Sequence, residues 1–393
     1  MAFTSNRGLT SSTVPLFRSF WMGGFECSTH VGRDGRRLDM IAATDHERQA
    51  DRDYALLRSI GIRTARDGLR WHLVDRGASF DFDSFLPLLS AAAKHKVQVI
   101  WDLLHYGYPD DVDLFSPEFV NRFARFCRAV AKVVSEHSDE VPFYAPVNEI
   151  SFFAWAAGRD FMAPFAAGRD GEIKRQLVRA AIAGVEAVRD VDARARFVYP
   201  EPSLHAVADG RRPDLLTIAQ QEIDAQFEAW DMIAGLRAPE LGGHPRYLDI
   251  PGCNFYYRNQ WEQTDERVFL RWREHDRDPR WLPLREMLAR VHRRYGRPFI
   301  IAETGHFGAG RAEWLRYVAR EAEETVRSGA PLEGVCLYPI VDRPDWEDPR
   351  HWHNCGMWDV DPGEGPGSRV LNEEYAAELG RWSRGLRSEV ALP

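Results

Sequence analysis

Two apolar segments of the chain each end on a glutamate, and these glutamates are the first candidates for chemistry. Residues 143–149 read FYAPVNE, and residues 298–303 read PFIIAE. A carboxylate at the end of a buried strand is costly unless it is paired or takes part in a reaction. We therefore interpret Glu149 and Glu303 as a pair of functional carboxylates rather than as loop residues that face solvent.

A pair of carboxylic side chains suits the hydrolysis of a glycosidic bond. When the two groups lie about 5–5.5 Å apart, one can attack the anomeric carbon while the other protonates the leaving oxygen, and the configuration is retained. We expect this short separation between Glu149 and Glu303. A separation above about 7 Å would contradict a retaining mechanism.

The elements that must position these residues alternate between short apolar runs and longer amphipathic ones. The strand candidates begin near Phe20, Ile62, Val97, Val141, Arg196, Asp249, Pro298 and Leu332. Eight strands at fairly even intervals predict an α/β fold, a single (β/α)8 TIM barrel, with a doubly wound sheet as the alternative. Functional residues of such barrels lie at the carboxyl ends of the strands. Glu149 would then end strand 4, and Glu303 would end strand 7.

Helical spacing of apolar residues predicts the segments that separate the strands. They are Ala50–Ile60, Phe85–His95, Glu118–His137, Ile173–Val191, Ile218–Ala234, Trp281–Tyr295, Ala312–Ser328 and Glu373–Leu386. No linker divides the chain, so we predict one catalytic domain over residues 16–388, with tails at 1–15 and 389–393. The insertion over about Asn259–Leu282 is expected to form a lid or rim.

Composition limits the classes of partner. The 393 residues carry a net charge of −8, which argues against nucleic acid and anionic membranes as partners. Five widely spaced cysteines without a C-x-x-C pair favour a reducing compartment, and neither a secretory signal nor a membrane span is evident, so we expect a cytoplasmic protein. No glycine motif for phosphates occurs, and no cofactor is expected. The oligomeric state stays open.

Six segments resemble motifs of family 1 of the glycoside hydrolases, a β-glucosidase-like family of (β/α)8 barrels within clan A. The resemblance covers about residues 20–365, and each segment lies at a predicted strand end. The segments are 66–71 (RDGLRW), 105–109 (HYGYP), 148–149 (NE), 254–256 (NFY), 302–305 (AETG) and 338–346 (YPIVDRPDW). Several differ from the family pattern: Ile150 follows the acid/base motif in place of proline, and Tyr106 stands where the family has tryptophan.

The resemblance assigns catalytic roles. Glu303 corresponds to the nucleophile and Glu149 to the acid/base. Arg66 would keep Glu303 ionised, and the hydroxyl of Tyr256 would donate a hydrogen bond to it. From the residues alone, Arg66 could instead be a structural ion-pair partner, and Tyr256 could be barrel packing.

The resemblance also implies a sugar-binding set. Asn148 would hold the 2-hydroxyl, and the far hydroxyls would meet other side chains of the pocket. The predicted substrate-binding residues are Asn148, His105, Tyr338, Asp345, Trp346, Glu26, His30 and Asn254. Glu26 or His30 would replace a glutamine that the family places after strand 1, and Tyr338 or Trp346 would face the sugar ring.

Some members of this set have plainer interpretations. His105 could be a core histidine, Tyr338 could be barrel packing, and Trp71 and Trp101 could be core or sugar platforms. Glu201 could be a third carboxylate of the pocket. We interpret the alternation of His351, His353 and Cys355 as an ordinary loop, so no metal is predicted.

These observations predict a retaining exo-β-glycosidase that hydrolyses a small β-glycoside by double displacement, with a carbohydrate as its substrate. One alternative is an endo-acting β-glycanase of the same clan that cuts mannan or glucan. The other is a carbohydrate-binding pseudoenzyme. We also expect the bond between Tyr338 and Pro339 to be cis, as the matching bond of the family commonly is.

Overall fold

The computed structural model describes residues 15–361 and 363–390, with side chains up to residue 383. Residues 1–14 and 391–393 of the two predicted tails lie outside the described residues. Among the described residues, no helix combines the length and the apolar character that a membrane span would need.

Eight parallel strands close into a barrel, which confirms the predicted fold class and excludes the doubly wound sheet. The barrel strands are β1 (Trp21–Gly24), β2 (Thr64–Gly68), β3 (Gln98–Asp102), β4 (Phe143–Ala145), β5 (Arg196–Pro202), β7 (Ile250–Asn254), β10 (Phe299–Thr304) and β11 (Leu332–Leu337). Each begins within two residues of its predicted start. Strands buried on both faces read as continuous apolar runs, which is why the sequence shows them clearly.

The interior of the barrel is filled by side chains, so the fold has a floor rather than a pore. Met22, Ile100, Val198, Ile250 and Ile300 belong to this inner core and are fully buried. The segment before β1 adds Phe17 to the same core. A ligand-binding site of this barrel is therefore expected above this layer, at the carboxyl ends of the strands.

Helices surround the barrel. They are α1 (Met40–Ala43), α2 (His46–Ser59), α3 (Trp71–Val74), α4 (Leu86–His95), α5 (Pro117–His137), α6 (Ile150–Ala157), α7 (Asp170–Arg189), α8 (Pro213–Ala225), α9 (Glu228–Ile233), α10 (Leu284–Tyr295), α11 (Arg311–Arg327) and α12 (Glu373–Val390). Short 3₁₀ turns lie at Pro239–Leu241 and Gly308–Gly310. The predicted helices agree with this set except for one.

The helix predicted over Ile218–Ala234 is two helices, α8 and α9, and α8 begins earlier, at Pro213. The break lies at Gln226, whose side chain bonds the backbone of Leu204 in both directions, at 3.1 Å each. After this break α9 turns so that the indole of Trp230 donates to the carbonyl of Tyr199 on β5, at 2.9 Å. A tertiary contact has therefore overridden a continuous helical pattern.

The insertion after β7 forms part of a small rim sheet. This sheet joins β6 (His205–Val207), β8 (Gln260–Gln263) and β9 (Arg267–Phe269), and a separate pair joins β12 (Trp358–Asp359) and β13 (Val370–Leu371). The insertion's Trp272 and Trp281 are buried against Trp314 and Tyr317 of α11. These tryptophans anchor the rim to the barrel.

Candidate functional site

The carboxyl ends of β2, β3, β7 and β10 and the segment after β4 bring polar side chains together above the barrel core. Parallel pairing sets their heights: Arg66 is in register with Ile100, and Glu303 is in register with Asn254. The two glutamates, each at most 9% exposed, belong to this cluster. The sequence placed Glu149 and Glu303 at strand ends, and the structure puts both of them in one buried polar network.

Glu303 is held by two donors. The guanidinium of Arg66 donates from Nη1 to Oε1 at 2.7 Å, and the hydroxyl of Tyr256 donates to Oε2 at 2.8 Å. Both contacts stabilise an ionised carboxylate. A carboxylate fixed in this way is a suitable nucleophile.

The buried guanidinium of Arg66 donates to three side chains, those of Asp102, Asn148 and Glu303. Its Nε and Nη2 bind the two oxygens of Asp102 at 2.9 and 2.6 Å, and Nη2 also donates to Oδ1 of Asn148 at 2.5 Å. Burial alone would lower the pKa of Arg66, but Asp102 and Glu303 raise it well above its ordinary value. Arg66 is therefore both a structural ion-pair partner of Asp102 and the cation that binds Glu303.

Glu149 begins helix α6 with a left-handed backbone, at a φ of 43°. Asn254 donates to its Oε1 at 2.9 Å, and the hydroxyl of Tyr106 donates to its Oε2. Its backbone N–H bonds the carbonyl of Pro200 on β5 at 3.0 Å. Asn254 on β7 and Tyr106 after β3 thus fix the carboxyl group, and β5 fixes the backbone of Glu149.

The environment of Glu149 favours its neutral form. Burial is the largest cause and the Glu303 charge is the next, and together they raise the pKa of Glu149 to about 8. The hydrogen bonds from Tyr106 and Asn254 oppose this rise. At neutral pH Glu149 keeps its proton beside the anchored Glu303. A protonated carboxyl group in this position is what general acid catalysis needs.

Asn148 and His105 form a second layer of this network. Asn148 donates from Nδ2 to Nε2 of His105 at 3.0 Å and to the hydroxyl of Tyr106 at 2.9 Å. With Nε2 accepting, His105 carries its proton on Nδ1, which lies 2.9 Å from Asp102. His105 is thus a satisfied buried histidine whose ring still lines the cluster.

Tyr338 lies beneath the cluster as part of the inner barrel core. Its bond to Pro339 is cis, as expected. The ring stacks on His105 with centroids 6.1 Å apart and lies 5.4 Å from the guanidinium carbon of Arg66. Tyr338 therefore packs in the barrel core and also forms the floor of the site.

Glu26, Arg343, His30 and Trp346 form one wall, joining the segment after β1 to that after β11. Glu26 pairs with Nε of Arg343 at 3.2 Å and accepts from the hydroxyl of Ser28 at 2.8 Å. Burial would raise the pKa of Glu26, but the Arg343 cation and the hydrogen bonds from Ser28 hold it below its ordinary value. The wall keeps a buried charge pair next to the network that contains Glu149 and Glu303.

His30 and Trp346 offer polar groups that are not otherwise used. Their rings meet edge to face with centroids 4.7 Å apart, and Nδ1 of His30 and Nε1 of Trp346 are buried without a hydrogen-bond partner. Burial lowers the pKa of His30 to about 4, so the ring is neutral at neutral pH. Unpaired buried groups of this kind are suited to the hydroxyls of a ligand.

Asp345 lies apart from the network. Its Oδ1 accepts from the backbone N–H groups of Glu347 and Asp348 at 2.8 and 3.0 Å, and its Oδ2 lies 3.1 Å from His353. The carboxylate thus stabilises its own loop, and 36% of the side chain stays exposed. Among the predicted site residues, Asp345 is the one that lies outside the network of hydrogen bonds and ring contacts.

Glu201, near the end of β5, is buried and supports the helix that begins after Glu149. Its carboxylate accepts from the backbone N–H of Ser151 at 3.1 Å, at the start of α6. Burial raises the pKa of Glu201 to about 7. It acts on the site through the helix N-terminus and through its effect on Glu149.

One group among the described residues has the side chains of a metal site: Cys27, Asp102 and His105. The Sγ of Cys27 lies 3.1 Å from Nδ1 of His105 and 3.7 Å from Asp102. Asp102 is already bound by Arg66 through both oxygens, so a metal ion here would lie beside a buried cation. The three side chains satisfy one another by hydrogen bonds.

Three residues of the network are absent from the set predicted from the sequence. They are Asp102, Tyr106 and Arg343. Asp102 had a signal, because β3 reads QVIWD, an apolar run that stops on a carboxylate like the runs before Glu149 and Glu303. Tyr106 and Arg343 lie inside segments already singled out, but only the fold shows which way they point.

Comparison with solved structures relates this barrel to known enzymes. A β-glucosidase from Thermotoga maritima in complex with glucoimidazole matches with a TM-score of 0.74 and 13% identity over 96% of this chain and 99% of that one. The AHE enzyme from Alicyclobacillus herbarius matches with a TM-score of 0.72 and 17% identity over 98% and 100%. The Thermotoga maritima enzyme with castanospermine matches with a TM-score of 0.72 and 13% identity over 95% and 98%.

The likeness is one of fold. No protein-family model matches the chain, and no curated protein matches it in sequence. The solved structures span nearly the whole chain, so the resemblance inferred from the motifs is confirmed for the barrel as a unit. The chain has the (β/α)8 fold of the family 1 β-glucosidases.

Proposed function

We propose that this protein is a retaining exo-β-glycosidase that hydrolyses a small β-glycoside by double displacement, without a cofactor. The observation that carries the proposal is the contrast between its two buried glutamates. Glu303 is fixed by a cation and a hydroxyl, whereas Glu149 is held near it with a pKa raised to about 8. One carboxylate bound by a cation and one carboxyl group that keeps its proton are what this reaction requires.

In the first step, the carboxylate of Glu303 attacks the anomeric carbon, and the bond between this carbon and the glycosidic oxygen breaks. Glu149 gives its proton to that oxygen, and the alcohol leaves. A covalent glycosyl ester of Glu303 remains, and Glu149 is now an anion. Asp102 and Asn148 keep the guanidinium of Arg66 in place throughout.

In the second step, Glu149 takes a proton from water, and the water oxygen attacks the anomeric carbon from the face that the alcohol left. The ester bond breaks, and Glu303 is again a carboxylate. Two inversions leave the sugar with its original configuration. Esterification removes the charge that had raised the pKa of Glu149, but burial, the largest cause of that rise, persists.

The proposed substrate is a small glycoside with a terminal sugar above Tyr338. Contacts of Trp346 with His30 and Tyr106 join the segments after three strands and favour a closed wall over an open groove. Asn148 and Asn254 are proposed to meet hydroxyls near the reacting carbon. His105, Glu26, His30 and Trp346 are proposed to meet those farther away. Asp345 is proposed to reach a hydroxyl only from the rim.

A panel of aryl β-glycosides with different sugars tests the proposal. The protein should release the phenol from at least one of them, and Glu303→Gln should lower kcat by about 10³-fold or more. Glu118→Gln is a matched control, because this glutamate is 56% exposed on α5 and pairs only with Arg125. Folded protein that binds a sugar but cleaves no β-glycoside would favour a pseudoenzyme, and internal cleavage of β-mannan or β-glucan would favour an endo-acting enzyme.

A cytoplasmic location is part of the proposal. All five cysteines are buried free thiols. Proteins of reducing compartments keep their thiols in this state.

A further inference from the structure

The hydroxyl of Tyr106 makes a hydrogen bond whose direction the network fixes. An arginine has no acceptor, so the atom of Asn148 that faces Arg66 must be its amide oxygen. The amide nitrogen of Asn148 then faces Tyr106 and donates to its hydroxyl at 2.9 Å. The single phenolic proton is left for Oε2 of Glu149.

Both partners of this bond have an uncommon backbone conformation. Tyr106 has a φ of 67° and Glu149 a φ of 43°. A residue other than glycine in the left-handed region costs on the order of 1 kcal/mol and persists only where its surroundings fix it. The ring of Tyr106 is fixed by Phe152 and Phe153 of α6, with centroids 5.5 and 5.8 Å away.

We propose that Tyr106 is a positioning residue for Glu149, which it orients through its hydroxyl and whose ionised form it stabilises. This inference rests on the proposed function for its catalytic meaning. Without such a donor, burial and the neighbouring charge would hold the proton of Glu149 too firmly for the group to act as an acid and then as a base. Tyr106 stands where the motif it resembles has tryptophan, a side chain without a hydroxyl.

Several groups besides Tyr106 act on the proton of Glu149. Glu303 from β10 and Glu201 from β5 favour the neutral form, and Asn254 from β7 donates to Oε1. Tyr256, from the segment after β7, directs its proton to Glu303 instead. Tyr106 is therefore the hydroxyl that stabilises the charge on Glu149.

The test is Tyr106→Phe, which removes the hydroxyl and keeps the ring. A hydrogen bond to a charged group changes a proton equilibrium by about ten- to a hundredfold, so the pKa of Glu149 should rise by about 1 to 2 pH units. The titration is read by ¹³C NMR of the glutamate side-chain carboxyls, with Glu149 assigned by its loss in Glu149→Gln. The basic limb of kcat/KM should move to higher pH by the same amount.

Two further variants control the test. Tyr108→Phe removes a buried hydroxyl two residues away whose oxygen has no hydrogen bond to either glutamate, and it should leave the Glu149 titration unchanged. Difluorotyrosine at position 106 keeps the ring and makes the phenol a stronger donor. It should lower the pKa of Glu149, and it replaces Tyr106→Phe if that variant does not fold.

The outcomes separate this inference from the proposed function. If Glu149 titrates alike in the wild type, Tyr106→Phe and the difluorotyrosine protein, the role of Tyr106 is wrong, whatever the activity. If the titration moves as expected but the wild type cleaves no glycoside, Tyr106 does control Glu149 and the proposed function is wrong.

Discussion

The charge of Glu303 should be one cause of the high proton affinity of Glu149, and Glu303→Gln removes that charge with little change in shape. At the separation of about 5.5 Å expected for a retaining enzyme, and with an effective dielectric constant of about 20, two unit charges interact by about 3 kcal/mol. This corresponds to about 2 pH units. The pKa of Glu149 should therefore fall from about 8 toward about 6 in the variant.

The fall should stop above the ordinary value of a glutamate, because burial is the larger cause and is not changed. The measurement is a ¹³C NMR titration of Glu149 in the wild type and in Glu303→Gln. Glu201→Gln serves as the comparison, since Glu201 contributes least among the causes and should lower the pKa by less. A titration of Glu149 that is the same in Glu303→Gln and the wild type would refute the electrostatic coupling on which the two roles depend.

Two other predictions concern the buried ion pairs. Arg66→Met leaves the carboxylates of Asp102 and Glu303 without their cation, so it should lower the free energy of unfolding by about 3–5 kcal/mol and abolish hydrolysis. Arg369→Met removes the cation beside Asp53, which keeps its pairing with His46, so it should cost less stability and keep kcat wherever it is folded. Equal kcat in both variants would return Arg66 to a structural role. His46 is buried, which lowers its pKa, but Asp67 and Asp53 raise that pKa to about 9. The stabilising charge of His46 is therefore fully present below about pH 6.5 and is lost as the pH rises through 9. Urea unfolding should show a loss of up to about 3 kcal/mol between pH 6 and 9.5 that is absent in His46→Asn, and parallel losses in both proteins would contradict it.

The barrel was predictable because its strands are buried on both faces. Runs such as residues 298–303 are short, apolar up to their final glutamate and separated by amphipathic helical segments, a pattern that favours buried parallel strands. The helix over 218–234 was not predictable in the same way. Its break depends on Gln226 bonding the backbone of Leu204, a contact made only after folding.

The candidate site could be predicted where its residues lie at or near the ends of strands. Glu149 and Glu303 end apolar runs and Arg66 lies near the end of a predicted strand, and the barrel brings such positions together. Asp345 shows the limit of motif matching, because its carboxylate binds its own loop instead of the network. Tyr106 was missed for a different reason. The direction of its side chain depends on a left-handed backbone conformation that the sequence pattern does not reveal.

Chemical rescue of Glu303→Gly tests the central claim most directly. The variant should lose hydrolysis of an activated aryl β-glycoside, because the carboxylate that attacks the anomeric carbon is gone. Added azide should fill the space and restore release of the phenol, and ¹H NMR should show the glycosyl azide with inverted, α configuration, while azide given to Glu149→Ala should yield the β-azide. An α-azide from the Glu149 variant would mean that the two roles are exchanged, and no rescue of either folded variant would contradict the double displacement.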